Sequence, residues 1–188
     1  MRKPFRLRFP PPRRLAQFAG QRQGVGAVEF ALIAPVALLL YFGWFEGTQA
    51  FQVVQRVEST AETIGNLVAR TKTMNDVAIN NIFDISTAIM TPFPADSLKM
   101  MITAVAVDVD GKGLIHWSKA NAGSALTPGQ PYDVPQELVF GAKTYLIVAD
   151  VTYDYKPIFG FGGWFDGISV EKSYTFRPRL SKEIVWEN

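Results

Sequence analysis

Residues 25–45 read VGAVEFALIAPVALLLYFGWF, a run of 21 residues that contains a single charge, Glu29. At 1.5 Å per residue, a helix of this length covers about 31 Å, close to the roughly 30 Å hydrocarbon core of a bilayer. Tyr41, Trp44 and Phe45 stand at the far end, where aromatic rings favour the headgroup region. The segment is therefore predicted to be a transmembrane helix that crosses the bilayer once.

The charges on the two sides of this segment differ sharply. Seven Lys and Arg residues and no acidic residue precede Val25, whereas the chain from Val25 onward carries twelve basic and seventeen acidic residues, a net charge of 12 − 17 = −5. Because an excess of Lys and Arg stays on the cytoplasmic side, residues 1–24 are predicted to be a basic cytoplasmic leader and the remainder to be extracytoplasmic. A net positive charge that is confined to this short arm also argues against a folded nucleic-acid-binding domain.

A cleaved secretory signal peptide is the main alternative for the apolar segment. Such a peptide has an apolar region of about 7–15 residues, followed by a small-x-small cleavage site. Here the run is longer and ends in YFGWFEG at residues 41–47, with aromatic side chains where small ones are required. A retained helix is therefore predicted.

Glu29 is a carboxylate inside the apolar run, where a charge costs about 2.5–3.5 kcal/mol at the centre of a membrane helix and usually has a function. A tolerated glutamate near the interface is the plainer alternative. Gly24 stands five residues before it and Phe30 follows it. This pattern resembles the G-x4-E-[FY] processing site of the Flp/Tad subgroup of type IV prepilins. More specifically, GAVEFALIAPVALLLYFGWFEGTQAF at residues 26–51 is similar to the N-terminal signature of the TadE-like pseudopilins.

The resemblance implies a set of site residues. Gly24 would precede the scissile bond, Val25 would become the new N-terminus, and Glu29 with Phe30 would serve recognition and assembly. Gly26 is a second glycine in the motif, but it stands only three residues before Glu29 and fits the spacing worse.

The resemblance also implies a function, a location and partners. The chain would be a minor pseudopilin, a structural or assembly subunit of a Tad-type (type IVb) pilus or related secretion system, in the bacterial inner membrane with a periplasmic C-terminal domain. Its partners would be other pseudopilins, inner-membrane platform proteins, a prepilin peptidase and membrane lipid. The alternative is a single-pass, membrane-anchored periplasmic binding module that is neither cleaved nor polymerised.

Beyond the membrane segment, the helix is predicted to continue to about residue 70 as an extracytoplasmic stalk. Apolar residues recur there with helical spacing and form one stripe, namely Phe51, Val54, Val57, Ala61, Ile64 and Val68. The stripe could pack on the sheet of its own domain or form a seam with other subunits. Both could hold for different parts of the stripe, and the spacing alone does not show which residues do which.

Residues 71–188 are predicted to form an extracytoplasmic α+β domain. Residues 75–90 form a second helix, which begins at Asn75 or Asp76 and ends before Pro92. Residues 98–109 and 114–118 form a hairpin around Asp110-Gly111, residues 119–136 form a loop, and residues 143–155 and 168–176 are strands. The predicted fold class is α+β and pilin-like, with a long N-terminal helix, a short second helix and a small antiparallel sheet of about four strands.

Three further motifs are interpreted as structural. Asp108-x-Asp110-Gly111 lacks the remaining ligands of an EF-hand and is interpreted as a hairpin turn. His116 is the only histidine and is interpreted as an ordinary surface or core residue. The glycine-rich stretch 160–167 lacks the Lys-Ser/Thr of a phosphate loop and is interpreted as a hairpin connection, with a contact loop or membrane-surface anchor as the alternative. Without cysteine or a catalytic constellation, the sequence predicts no metal, no cofactor and no enzymatic activity.

Overall fold

A computed structural model describes residues 23–139, 143–159 and 167–187. The chain divides into two units, residues 1–45 and residues 46–188. A continuous helix, α1 (Gln23–Ala69), supplies all the described structure of the first unit and the first element of the second. The predicted basic leader lies almost entirely outside the described residues.

The second unit contains the short helix α2 (Asp76–Thr87), which begins where the sequence predicts. The Asn75 side chain accepts a hydrogen bond of 2.9 Å from the backbone N–H of Ala78, an arrangement that satisfies one of the free donors in the first turn. A 3-10 turn at Ala88–Met90 follows the helix, and the Thr91–Pro92 peptide bond after it is cis. The predicted second helix is thus present, with its last turn tightened.

The described residues contain seven strands, numbered in chain order: β1 (Thr73–Met74), which precedes α2, and then β2 (Leu98–Val107), β3 (Gly113–Ala120), β4 (Pro131–Tyr132), β5 (Thr144–Tyr155), β6 (Ile168–Phe176) and β7 (Val185–Trp186). Five of them form an antiparallel sheet in the order β4-β3-β2-β5-β6, and β1 pairs with β7 in parallel. The predicted turn joins β2 to β3: the N–H of Gly111 donates to the carbonyl of Asp108 at 3.0 Å, and Gly111 takes a φ of +79°.

The α+β class with a long N-terminal helix, one short helix and an antiparallel sheet is confirmed. The expected number of about four strands is wrong, because the main sheet has a fifth strand, β4, and a separate pair is formed by β1 and β7. Each of these three strands has only two residues, too few to show an alternating pattern in the sequence. The predicted loop 119–136 accordingly contains β4.

The C-terminal half of α1 packs its apolar stripe into the core of its own domain. Five side chains of this helix half belong to one hydrophobic cluster with side chains of β2 and β5. They are fully buried and are Val53, Val57, Ala61, Ile64 and Val68. The predicted stripe is wrong at Phe51, which is 64% exposed, whereas Val54 is partly buried and packs against this cluster. Val53 is buried instead, since residues 53 and 57 are one helical turn apart and therefore lie on the same face of the helix.

Gly65 lets α1 approach the sheet closely. A Cβ atom at this position would collide with the ring of Phe176 on β6 and would meet the Cβ of Ala149 on β5 at 3.1 Å. Glycine is disfavoured in a helix interior, so its presence here is explained by packing.

Replacing Gly65 with alanine should lower the stability of the protein. The clash with Phe176 should cost about 1–3 kcal/mol, as overpacked cores do, and should outweigh the gain in helix propensity. Gly47→Ala is the matched control, because nothing lies within 4 Å of its Cβ position; it should be neutral or stabilising by up to about 1 kcal/mol. Urea unfolding of the full chain in detergent micelles, followed by tryptophan fluorescence, measures both; equal stability of the two variants would contradict the close-packing explanation.

The last dozen described residues complete the end of α1. The backbone N–H of Arg179 donates to the carbonyl of Ala69, the last residue of the helix, at 2.8 Å. Farther along, the N–H of Val185 bonds to Lys72 and that of Glu187 to Met74. Carbonyls at a helix C-terminus need partners outside the helix, so the C-terminal segment supplies one of them.

Ile184 anchors this segment in the core. It is fully buried, and its carbonyl accepts hydrogen bonds from Trp117 Nε1 at 2.9 Å and Tyr145 Oη at 3.0 Å. The ring of Trp186 lies 5.1 Å from that of Trp117, centroid to centroid. Two strands of the main sheet therefore hold the C-terminal segment through side chains rather than through ladder pairing.

Candidate membrane and assembly segment

The first unit presents an apolar surface that nothing in the described chain covers. The helix from Gly24 onward is long and apolar enough to cross a membrane once. Its large side chains are more than half exposed over most of its length, among them Val25, Val28, Phe30, Leu32, Ile33, Leu40 and Trp44. A soluble helix buries such residues, so this exposure is what a lipid-facing or subunit-facing helix requires.

The residues predicted for processing and assembly lie together at the start of this helix. Gly24 and Val25 are in its first turn, and Glu29 and Phe30 follow one turn later, all exposed. Val25 and Glu29 are four residues apart and so share a face. Among the residues that the structure describes, the Glu29 carboxylate has no hydrogen-bond or ion-pair partner. Their roles in cleavage and assembly stay predictions.

Glu46, the first residue of the second unit, is a buried acid that the sequence analysis did not single out. It is only 7% exposed, and its carboxylate accepts hydrogen bonds from Tyr155 Oη and from the backbone N–H groups of Ile158 at 3.1 Å and Phe159 at 3.3 Å. Burial, followed by the hydrogen bond with Glu46, raises the pKa of Tyr155 above its ordinary value. The residue that follows the apolar segment is thus fastened to the end of β5.

A second acid of α1 contacts the same sheet from the surface. Glu58 accepts a hydrogen bond of 2.6 Å from Tyr174 Oη and lies 3.7 Å from Lys172 Nζ, both on β6. These two contacts, the hydrogen bond first, lower the pKa of Glu58 below its usual range. The polar edge of the helix is thereby tied to β6.

The lowered pKa of Glu58 predicts a pH-dependent contribution to stability. Since its pKa is lower in the folded state, the contribution is fully present above the pKa of the unfolded chain and is lost as the pH falls through the folded value. The stability difference between the wild type and Glu58→Gln should therefore be largest near pH 7 and shrink below about pH 4.5. Urea unfolding at pH 7, 5 and 3.5 tests this, with Glu62→Gln one turn away as the control. A difference that does not change with pH would contradict the assignment.

His116 contacts a tyrosine of the neighbouring part of the sheet. It is exposed on β3, and its Nδ1 lies 2.7 Å from Tyr145 Oη. Since that hydroxyl donates its proton to Ile184, the histidine Nδ1 carries the proton between the two rings. Burial raises the pKa of Tyr145, so the phenol stays protonated. The interpretation of His116 as an ordinary residue stays a prediction. Of the glycine-rich stretch, residues 160–166 lie outside the described residues.

The similarity of this chain to a known protein family lies in α1. No curated protein and no solved structure matches the chain. The model of one family, described as TadE-like protein, matches residues 24–64, which begin at Gly24 and end within the buried stripe of α1. The resemblance seen in the sequence is confirmed: the chain carries a TadE-like segment over these residues.

Proposed function

We propose that this protein is a minor pseudopilin, a structural and assembly subunit of a Tad-type pilus or a related secretion system. One observation carries the proposal: the TadE-like match covers a helix whose first half is apolar, exposed and marked by one carboxylate at Glu29. The role is structural rather than enzymatic. Its partners are other pseudopilins and the inner-membrane platform proteins, and nucleic acid is not among them.

The proposed location is the bacterial inner membrane. The helix crosses the bilayer once, with the basic leader in the cytoplasm, because Lys and Arg are retained on that side. The domain that begins at Glu46 then lies in the periplasm. Protease added to spheroplasts should digest this domain and spare the leader; the opposite pattern would overturn the orientation.

Deleting the protein tests the function directly. A deletion strain should lose surface pili or secretion by the Tad-type machine, and the full chain supplied in trans should restore them. Crosslinking in the intact membrane should recover at least one other pseudopilin with the protein. Normal pili in the deletion strain would overturn the proposal.

The resemblance further predicts removal of the leader after Gly24 by a prepilin peptidase. Mass spectrometry of the mature protein should show Val25 as the N-terminal residue. Gly24→Leu should leave the leader in place, because it removes the glycine that the motif places before the scissile bond. Gly26→Ala is the matched control and should be processed normally. A mature protein that still begins at Met1 would contradict the prediction while leaving a role in pilus assembly open.

A further inference from the structure

A cavity of about 830 Å³ opens at one end of the main sheet, where β2 ends and β5 begins. Its walls come from separate parts of the chain: the β2–β3 turn, the start of β5, the end of β6 and the C-terminal segment. The charged residues that line it are Asp108, Lys112, Lys143, Arg177, Lys182 and Glu183. A concave surface built from four segments is fixed by the fold and not by one flexible loop.

The charge of the cavity is opposite to that of the surrounding chain. Its lining carries four basic and two acidic side chains, a net charge of 4 − 2 = +2, whereas the chain from Val25 onward carries −5. The three lysines are exposed, and none of the ion pairs among the described residues involves them. Each of these ammonium groups therefore remains available to an anion.

The floor of the cavity is partly apolar. Its apolar lining includes Leu114, which is 52% exposed, and Pro178, which is half-buried. Exposed lysines alone are usually a solvated surface. Lysines arranged around an apolar concavity offer, in addition, a place for the aliphatic part of a ligand.

The cavity lies at the end of β5 opposite to Glu46. Val107 pairs with Thr144 beside the cavity, whereas Tyr155 at the other end of β5 holds the Glu46 carboxylate. The twelve residues of β5 separate the two ends by about 36 Å, at roughly 3.3 Å per residue. The cavity is thus separate from the hydrogen bonds that hold Glu46.

We propose that this cavity binds an acidic segment of a partner protein through its carboxylate groups. Phosphate sites commonly use the N-terminus of a helix, and no helix begins among the described lining residues. Small-molecule sites enclose most of their ligand, whereas this cleft is largely open to solvent. A peptide with carboxylates on flexible aliphatic stems fits both the lysines and the apolar floor. The site does not depend on the proposed pilus role, because binding alone reports on it.

The test uses a fluorescein-labelled hexaglutamate peptide and the full chain in nonionic detergent micelles. Fluorescence anisotropy should show saturable binding that weakens with salt. The variant Lys112→Gln/Lys143→Gln/Lys182→Gln should weaken it about tenfold or more, since three charged contacts are lost together. The control Lys72→Gln/Lys99→Gln/Lys156→Gln makes the same charge change outside the cavity and should stay within about twofold of the wild type.

Each other outcome overturns the proposal. Absence of binding shows that the cavity is not a carboxylate site, and an equal loss in both triple variants shows unspecific attraction. Binding that neither triple variant changes places the peptide on the basic leader. Citrate or inorganic phosphate that displaces the peptide at equal or lower concentration shows a site for small anions. Circular dichroism and thermal unfolding of both variants verify that the fold is retained, and Lys143→Gln alone repeats the test if the triple variant does not fold.

Discussion

Replacing Glu29 with alanine should reduce pilus or secretion output about tenfold or more, while the protein remains in the membrane at its normal level. The carboxylate has no partner among the described residues of its own chain, and an unpaired charge in lipid is costly. A neighbouring subunit that supplies an amine, such as a processed N-terminus, would neutralise it and fix the axial register between helices. Losing roughly 1.4 kcal/mol per contact already changes an assembly equilibrium tenfold.

Two variants sharpen this experiment. Glu29→Gln keeps the size of the side chain but removes its charge, and it should behave like alanine if an ion pair is required. Glu62→Ala removes an exposed carboxylate from the same helix outside the apolar segment and should leave output unchanged. Surface pili counted by electron microscopy, with immunoblots of membrane fractions, measure the effect. Normal output from both Glu29 variants would favour a membrane-anchored binding module that does not polymerise.

Replacing Glu46 with alanine should destabilise the domain that begins at this residue by about 2–4 kcal/mol, because it removes the acceptor of a buried hydroxyl and of two backbone donors. The hydroxyl belongs to Tyr155, which is 4% exposed, and the N–H groups, which are only partly buried, belong to Ile158 and Phe159. A buried donor without a partner loses its hydration and gains nothing in return. Urea unfolding of the full chain in micelles measures the loss.

A double-mutant cycle separates the hydrogen bond from the cavity that alanine creates. Tyr155→Phe should cost less than Glu46→Ala, since the two backbone donors keep their acceptor. The double variant should be less destabilised than the sum of the single variants, by about 1–2 kcal/mol. Strict additivity would show that Glu46 and Tyr155 do not stabilise each other. Glu62→Ala, an exposed carboxylate on the same helix, is the control for a general effect of charge.

Local patterns predicted most of the fold. The length of the apolar run indicated a helix that could span a membrane, Asn75 and the prolines at 92 and 94 bounded the second helix, and Asp110-Gly111 placed the hairpin. Each of these patterns predicts the structure of the residues in or directly beside it. The TadE-like motif is local in the same sense, and it identified the residues proposed for processing and assembly.

The features that sequence reasoning missed depend on contacts between distant residues. Glu46 looks like a surface charge because its partners lie 109 to 113 residues farther along the chain. Phe51 looks like a core residue because it is large and apolar, yet the helix turns it outward and buries Val53. The cavity likewise gathers lysines from segments with no common motif. Helical periodicity fixes which residues share a face, but only the position of the sheet decides which face is buried.

The hydrogen bond from Arg179 to Ala69 has a consequence for biosynthesis. The N–H of a residue near the end of the chain completes a helix made more than a hundred residues earlier, and Ile184 fills a place in the core. Contacts this distant in sequence close late, because their loop must be formed first. The domain therefore cannot finish folding until residues 179–184 have been made. Until then the carbonyl of Ala69 lacks the N–H of Arg179, and Trp117 lacks the carbonyl of Ile184.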